Sequence, residues 1–180
     1  VPGRGLNGVH FAMEYLTQQN NVNAGGHVPA EEQIVAEGKR VVILGGGDTG
    51  ADCLGTAHRQ GAQVVHQYEI LPEPPGQRGP NNPWPQWPII LRTSSAHEEG
   101  GIRDYNILTT SFSGLNGTVE KLHGVRVEPG VWPPKPVAGT EFEVEADLVL
   151  LAMGFEHPEH DGMLDQLGVE YDGRGNVLVD

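Results

Sequence analysis

The sequence predicts an α/β fold, a parallel sheet with helices packed on it and an antiparallel β-meander attached. Three observations predict it. The stretch "KRVVILGGGDTGADCLGTAHRQGAQVVHQYEI", Lys39 to Ile70, runs from branched apolar residues through three glycines into a helical pattern and then a second strand. Asp147 to Ala152, "DLVLLA", is almost continuously apolar, as a strand buried on both faces must be. Between them, "YNILTTSFSGLNGTVEKLHGVRVEP" alternates in polarity and turns at "GLNG", the pattern of antiparallel strands.

The chain opens on a Pro/Gly turn, and the spacing of Val9, Ala12, Met13 and Leu16 predicts an amphipathic helix from about Gly8 to Gln19. Asn23 to Pro29 reads as a linker, and a short polar stretch leads to a strand at Arg40 to Leu44. After the glycines, Ala51, Leu54, Ala57 and His58 mark a helical face that stops at Gly61. A strand at Gln63 to Tyr68 completes the first half of a βαβ unit. From Leu71 to Arg92 the prolines preclude regular helix or interior strand. "FEVE" predicts one more alternating strand, and the tail turns at "DGRGN" into a closing strand.

Composition narrows the function. A chain of 180 residues is one domain or two small ones, and its 26 Gly and 14 Pro make it rich in loops. A net charge of −13 with only 11 scattered Lys and Arg argues against nucleic acid or an anionic membrane as partner, so any phosphate must be bound by backbone. Cys53 is the lone cysteine, which excludes an internal disulfide framework and a cysteine-held iron–sulfur cluster within these residues. No apolar run approaches the roughly 20 residues of a membrane span, and "VPGRGLNGVH" lacks the regions of a signal peptide. These features predict a cytoplasmic protein.

Gly45, Gly47 and Gly50 fit G-x-G-x-x-G between a strand and a helix. In that setting the first glycine permits a tight turn, the second lets backbone amides approach a diphosphate, and the third lets helix and strand pack closely. The pattern predicts a Rossmann-like, three-layer nucleotide-binding domain. Asp48 and Thr49 open the helix, where unpaired amides and the dipole attract phosphate. Asp48 itself repels phosphate and is expected to cap the helix or touch ribose. Glu69 stands about 20 residues on, where an acidic residue binds the adenosine ribose of NAD. Its carboxylate disfavours a 2′-phosphate, whereas Arg78 favours one if its loop folds back; the residues lean toward NADH and leave NADPH open.

"GVHFAMEYLTQQN", "VVILGGGDTGADCLGTAHRQGA", "EILPEPP", "NNPWPQWP" and "ADLVLLAMGF" together resemble the NAD(P)H-binding region of the glutamate synthase small (beta) subunit, within the pyridine nucleotide-disulfide oxidoreductase-like flavoproteins. The likeness covers nearly the whole chain. It implies a flavoprotein in which NADPH or NADH reduces FAD and electrons pass through iron–sulfur clusters to a glutamine-dependent large subunit, with no metal site in this chain. By the same likeness Gly45, Gly46, Gly47, Asp48, Thr49 and Gly50 form the nucleotide loop, while Met153, Gly154 and Phe155 lie on the return toward the flavin. The family's cysteine-rich region, FAD fingerprint and last flavin-contacting segment have no counterpart here. The implied division is a linker helix and flavin-domain stub at 1–27, an NAD(P)H-binding domain at 28–147, and a return segment at 148–180. Such a piece holds NAD(P)H without turning over alone. Two rivals are a module of another FAD/iron–sulfur electron-transfer oxidoreductase and a non-catalytic docking scaffold.

Other candidates have duller readings. Trp84 and Trp87 either close over the nicotinamide or meet a partner subunit, or else pack against their own domain in a polyproline-like loop. Cys53 reads as core. "SSAHEE" has Ser94 and His97 too close in sequence for a triad and predicts a polar helix start. His157, His160 and Asp161 lack helical ligand geometry and read as a solvated loop. "NGT" at Asn116 predicts a hairpin turn, and Glu141, Glu143 and Glu145 share a strand face turned to water.

Overall fold

The computed structural model describes residues 1–85 and 90–179. Its centre is a five-stranded sheet in the order β1 (Val9–Phe11), β8 (Leu148–Leu151), β2 (Arg40–Leu44), β3 (Val64–Tyr68), β4 (Ile102–Asp104), with every neighbouring pair parallel. A second, antiparallel sheet is formed by β5 (Ile107–Leu115), β6 (Thr118–Arg126) and β7 (Phe142–Glu145). The helices are α1 (Ala12–Asn23), α2 (Asp48–Arg59), the single-turn α3 (Ser95–Glu98) and α4 (Met163–Leu167).

Alternation along the buried strands produces three layers. Val41, Ile43, Leu148 and Leu150 share one core with Tyr15, Cys53, Leu54 and Ala57 of the helices. Their neighbours Val42, Leu44, Val149 and Leu151 share the other with Phe112, Val119 and Leu122 of the meander. A strand covered on both faces has no position for a polar residue, and β8 is buried at all four. Cys53, fully buried, is a core residue whose thiol burial pushes up to about 12.

Both flanking segments enter this sheet: β1 pairs with β8, and β8 lies between β1 and β2.

Several local expectations are corrected. The first helix begins at Ala12, because Val9 to Phe11 extend as an edge strand; its buried residues are Ala12 and Tyr15, while Met13 is 48% exposed. Tyr15 is anchored by donating to Gln60 Oε1 at 2.9 Å. The glutamates of β7 are not left to water: Lys121 pairs with Glu143, and Arg40 bridges Glu145 and Asp147. The "HPEH" segment is stacked, His157 on His160 at 4.4 Å between ring centroids and His160 on Tyr171 at 3.9 Å, which ties it to the turn at Gly175 through His160 Nε2. The tail forms an isolated bridge from Tyr171 to Val177. Asn116 and Gly117, both at positive φ, make the predicted hairpin turn.

Candidate functional site

β2 delivers the glycine loop to the carboxyl edge of the sheet, where its neighbours hold it on both sides. Gly45 N–H donates to Tyr68 O of β3 at 2.8 Å, and Ala152 N–H donates to Leu44 O at 2.7 Å. Gly45 then turns at φ +123°, so close to the other strand that a Cβ there would lie 2.1 Å from Ala152 O. A Cβ on Gly50 would lie 2.2 Å from Gly45 O, so the first turn of α2 rests directly on the end of β2. Gly47 differs from both: it is the N-cap of α2, and a Cβ there meets nothing within 4 Å. No side chain caps the helix. The two outer glycines are thus closed by the fold, while the middle one opens the amides at the helix start to an incoming anion.

The structure brings most of the predicted residues to this edge. Glu69 follows β3 and its carboxylate accepts from Gly46 N–H at 2.6 Å and from Leu71 N–H at 2.9 Å. Met153 N is the next backbone atom beside Gly45 after Ala152, and Gly154 continues at φ +86°. Met153 and Phe155 are 69% and 80% exposed. Asp48 does not cap the helix; as its first residue it projects outward, and Arg92 lies 3.7 Å away. Thr49 follows in the same turn. Arg78 donates to Asn82 O at 3.4 Å within its own loop. Trp84 is 81% exposed, which overturns packing against its own domain, and Trp87 falls outside the described residues. No group of three or more His, Cys, Asp or Glu is arranged to hold a metal among the described residues. None of their helices is long and apolar enough to cross a membrane.

One supporting residue escaped sequence reasoning. Gln67 is 2% exposed, and its Nε2 donates to Gly45 O at 2.9 Å. Its Oε1 faces His97 Nε2 at 3.0 Å, and His97 Nδ1 in turn lies 3.2 Å from Ser94 N and 3.0 Å from Ser94 Oγ. Ser94 N–H can only donate, so Nδ1 accepts and Nε2 carries the imidazole proton. The chain of bonds ties the loop to α3. A lone glutamine on an otherwise alternating strand was the available signal. Gln67→Leu is expected to leave the Gly45 carbonyl and the imidazole N–H unpaired and to lower stability by about 2 kcal/mol, read from the denaturant midpoint.

This arrangement requires neutral His97, and burial, reinforced by Arg103 and opposed by Asp48, lowers its pKa below 6.5. His10 and His66 are lowered by burial as well. A base with a depressed folded pKa binds more protons when unfolded, so its contribution is complete above 6.5 and is lost as pH falls below it. Unfolding stability should hold near pH 7 and decline toward about pH 5. His97→Asn should flatten that decline, and an unchanged slope would exclude His97 as a contributor.

The fold is shared with a FAD-dependent pyridine nucleotide-disulphide oxidoreductase from Desulfovibrio vulgaris, at TM-score 0.59 and 18% identity over 100% of this chain and 38% of that one. The fold is thus of the pyridine nucleotide-disulfide oxidoreductase type, a parallel sheet carrying an antiparallel meander. In sequence the chain is a homologue of glutamate synthase small chains: it is 53% identical to the "Glutamate synthase [NADPH] small chain" of Mycobacterium tuberculosis, across 98% of this chain. It is 39% identical, again across 98% of its length, to the "Glutamate synthase [NADH]" of Schizosaccharomyces pombe. The chain spans 37% of the first relative and 9% of the second. No family model matches.

Proposed function

We propose that this chain is the nicotinamide-nucleotide module of a glutamate synthase-type flavoprotein. The observation that carries the reading is the contrast among the glycines: Gly45 and Gly50 leave no room for a Cβ, whereas Gly47 opens onto solvent at the start of α2. A diphosphate fits that opening. The amides of Gly47, Asp48 and Thr49 would hold it at the positive end of the helix, with Gly46 beside them. Glu69, at the end of β3, would receive the adenosine ribose.

When bound, the nicotinamide supplies a hydride to FAD held by the rest of the protein. The chain's own share is placement: it binds the diphosphate, orients the ribose, and leads from β8 through Met153 and Gly154 toward the flavin. That step asks for no acid–base side chain. In this reading the segments at 1–27 and 148–180 connect to a flavin domain, iron–sulfur clusters lie elsewhere in the longer protein, and a large subunit uses the electrons to make glutamate from glutamine and 2-oxoglutarate. Exposed Trp84 favours an additional docking role for the proline-rich loop. Titration of the intact protein with NADH, followed by calorimetry, should give saturable one-site binding. Absence of binding at millimolar nucleotide would defeat the proposal.

A further inference from the structure

We infer that the site selects NADH over NADPH and that Glu69 sets the choice. The inference rests on the nucleotide-site reading above and names which nucleotide that site takes. The names of the relatives divide between the two coenzymes, [NADPH] for the bacterial small chain and [NADH] for the fungal protein. The geometry at the end of β3 decides between them.

Glu69 is held at both backbone and side chain. Its N–H donates to Asp104 O at 2.9 Å and its carbonyl accepts from Ile107 N–H at 3.0 Å. One carboxylate oxygen takes Gly46 N–H and the other takes Leu71 N–H, so the group lies against the glycine loop. A Cβ on Gly46 would come within 2.9 Å of it. The ribose of NADH presents two hydroxyls, which donate to a carboxylate. A 2′-phosphate offers acceptors only and brings a charge of about −1.5 to −2, so it meets Glu69 as one anion meets another.

Among the described residues, the cations around this edge are engaged by other groups: Arg92 lies 3.7 Å from Asp48 at the start of α2. The Arg126 guanidinium is engaged by both oxygens of Asp104, at 3.0 and 2.7 Å. Arg103 donates to Arg92 O and lies over the Tyr105 ring. Glu73 joins Glu69 near Tyr105 and adds a second negative charge to this edge. Arg78 is directed to the Asn82 carbonyl in the proline-rich loop. Sites for a 2′-phosphate bring an arginine near it, whereas the residue at the end of β3 here is a glutamate.

The test uses ADP-ribose and its 2′-phosphorylated counterpart as probes, titrated calorimetrically into the intact protein at fixed ionic strength. Neither probe carries a nicotinamide, so the readout is binding alone. ADP-ribose is expected to bind about tenfold or more tightly than the phosphorylated probe. Glu69→Gln should bring the ratio toward one, mainly by strengthening the phosphorylated probe, and Glu69→Arg should invert it. Equal or tighter binding of the phosphorylated probe by the wild-type protein overturns the selectivity while leaving the glycine-loop site standing. A ratio unchanged in a natively folded Glu69→Gln overturns the role of Glu69. If neither probe binds the wild-type protein, the nucleotide-site reading fails and this inference falls with it. The wild-type ratio decides the selectivity even if a variant fails to fold.

Discussion

Gly47→Leu is expected to leave the fold intact and to weaken NADH or ADP-ribose binding about a hundredfold, a loss of about 2.7 kcal/mol. The backbone at Gly47 has φ −82° and ψ −174°, extended geometry that any residue adopts, and nothing stands within 4 Å of a Cβ. The fold therefore makes no demand for glycine there. A ligand does, because a leucine side chain would fill the approach to the amides that begin α2. Stability should change by less than about 1 kcal/mol, the scale of an exchange at a helix N-cap. Undiminished affinity in the folded variant would move the site away from the loop.

Gly50→Ala should do the reverse. Its Cβ would stand 2.2 Å from Gly45 O and 2.6 Å from Gln67 Nε2, so either α2 lifts off the sheet or the loop shifts and gives up the buried bond to Gln67. A loss of about 3 kcal/mol or more is expected, with a fall in Tm of about 6–12 °C for a chain of this size. Gly45→Ala should behave similarly, since it combines φ +123° with a contact of 2.1 Å to Ala152 O. Thermal unfolding checks both, and a Tm within about 2 °C of wild type would show that the loop is less tightly closed than its geometry requires. The pair of experiments separates two uses of one residue type, glycine for packing and glycine for a ligand.

The parts of the fold set by short-range patterns were legible in the sequence. β2, α2 and β3 lie where the apolar periods and the terminating Gly61 place them, and the β5–β6 hairpin turns at Asn116–Gly117. β1 and β4 were not legible: each is three residues long, and an edge strand of that length is held by its neighbour, Leu148–Leu151 for one and Val64–Tyr68 for the other. The helix after β1 was displaced for the same reason, because Val9 continues an apolar stripe in the sequence but belongs to a strand in space. At the site, the loop residues and Glu69 follow from one motif and its spacing. Gln67 and His97 do not, because they meet across 30 residues and neither type announces a partner. Arg78 was assigned by proximity in sequence, and one of its bonds goes to the Asn82 carbonyl of its own loop.

The amides of Gly47, Asp48 and Thr49, left without a side-chain cap at the positive end of α2, are proposed to grip a diphosphate. Backbone amide NMR shifts during titration of the protein with ADP-ribose test it most directly. The largest shifts should fall on Gly46, Gly47, Asp48 and Thr49, with Glu69 next. A saturating titration whose largest shifts cluster elsewhere, such as along the groove between α1 and α2 lined by Asn20, Asp52 and Arg59, would contradict it.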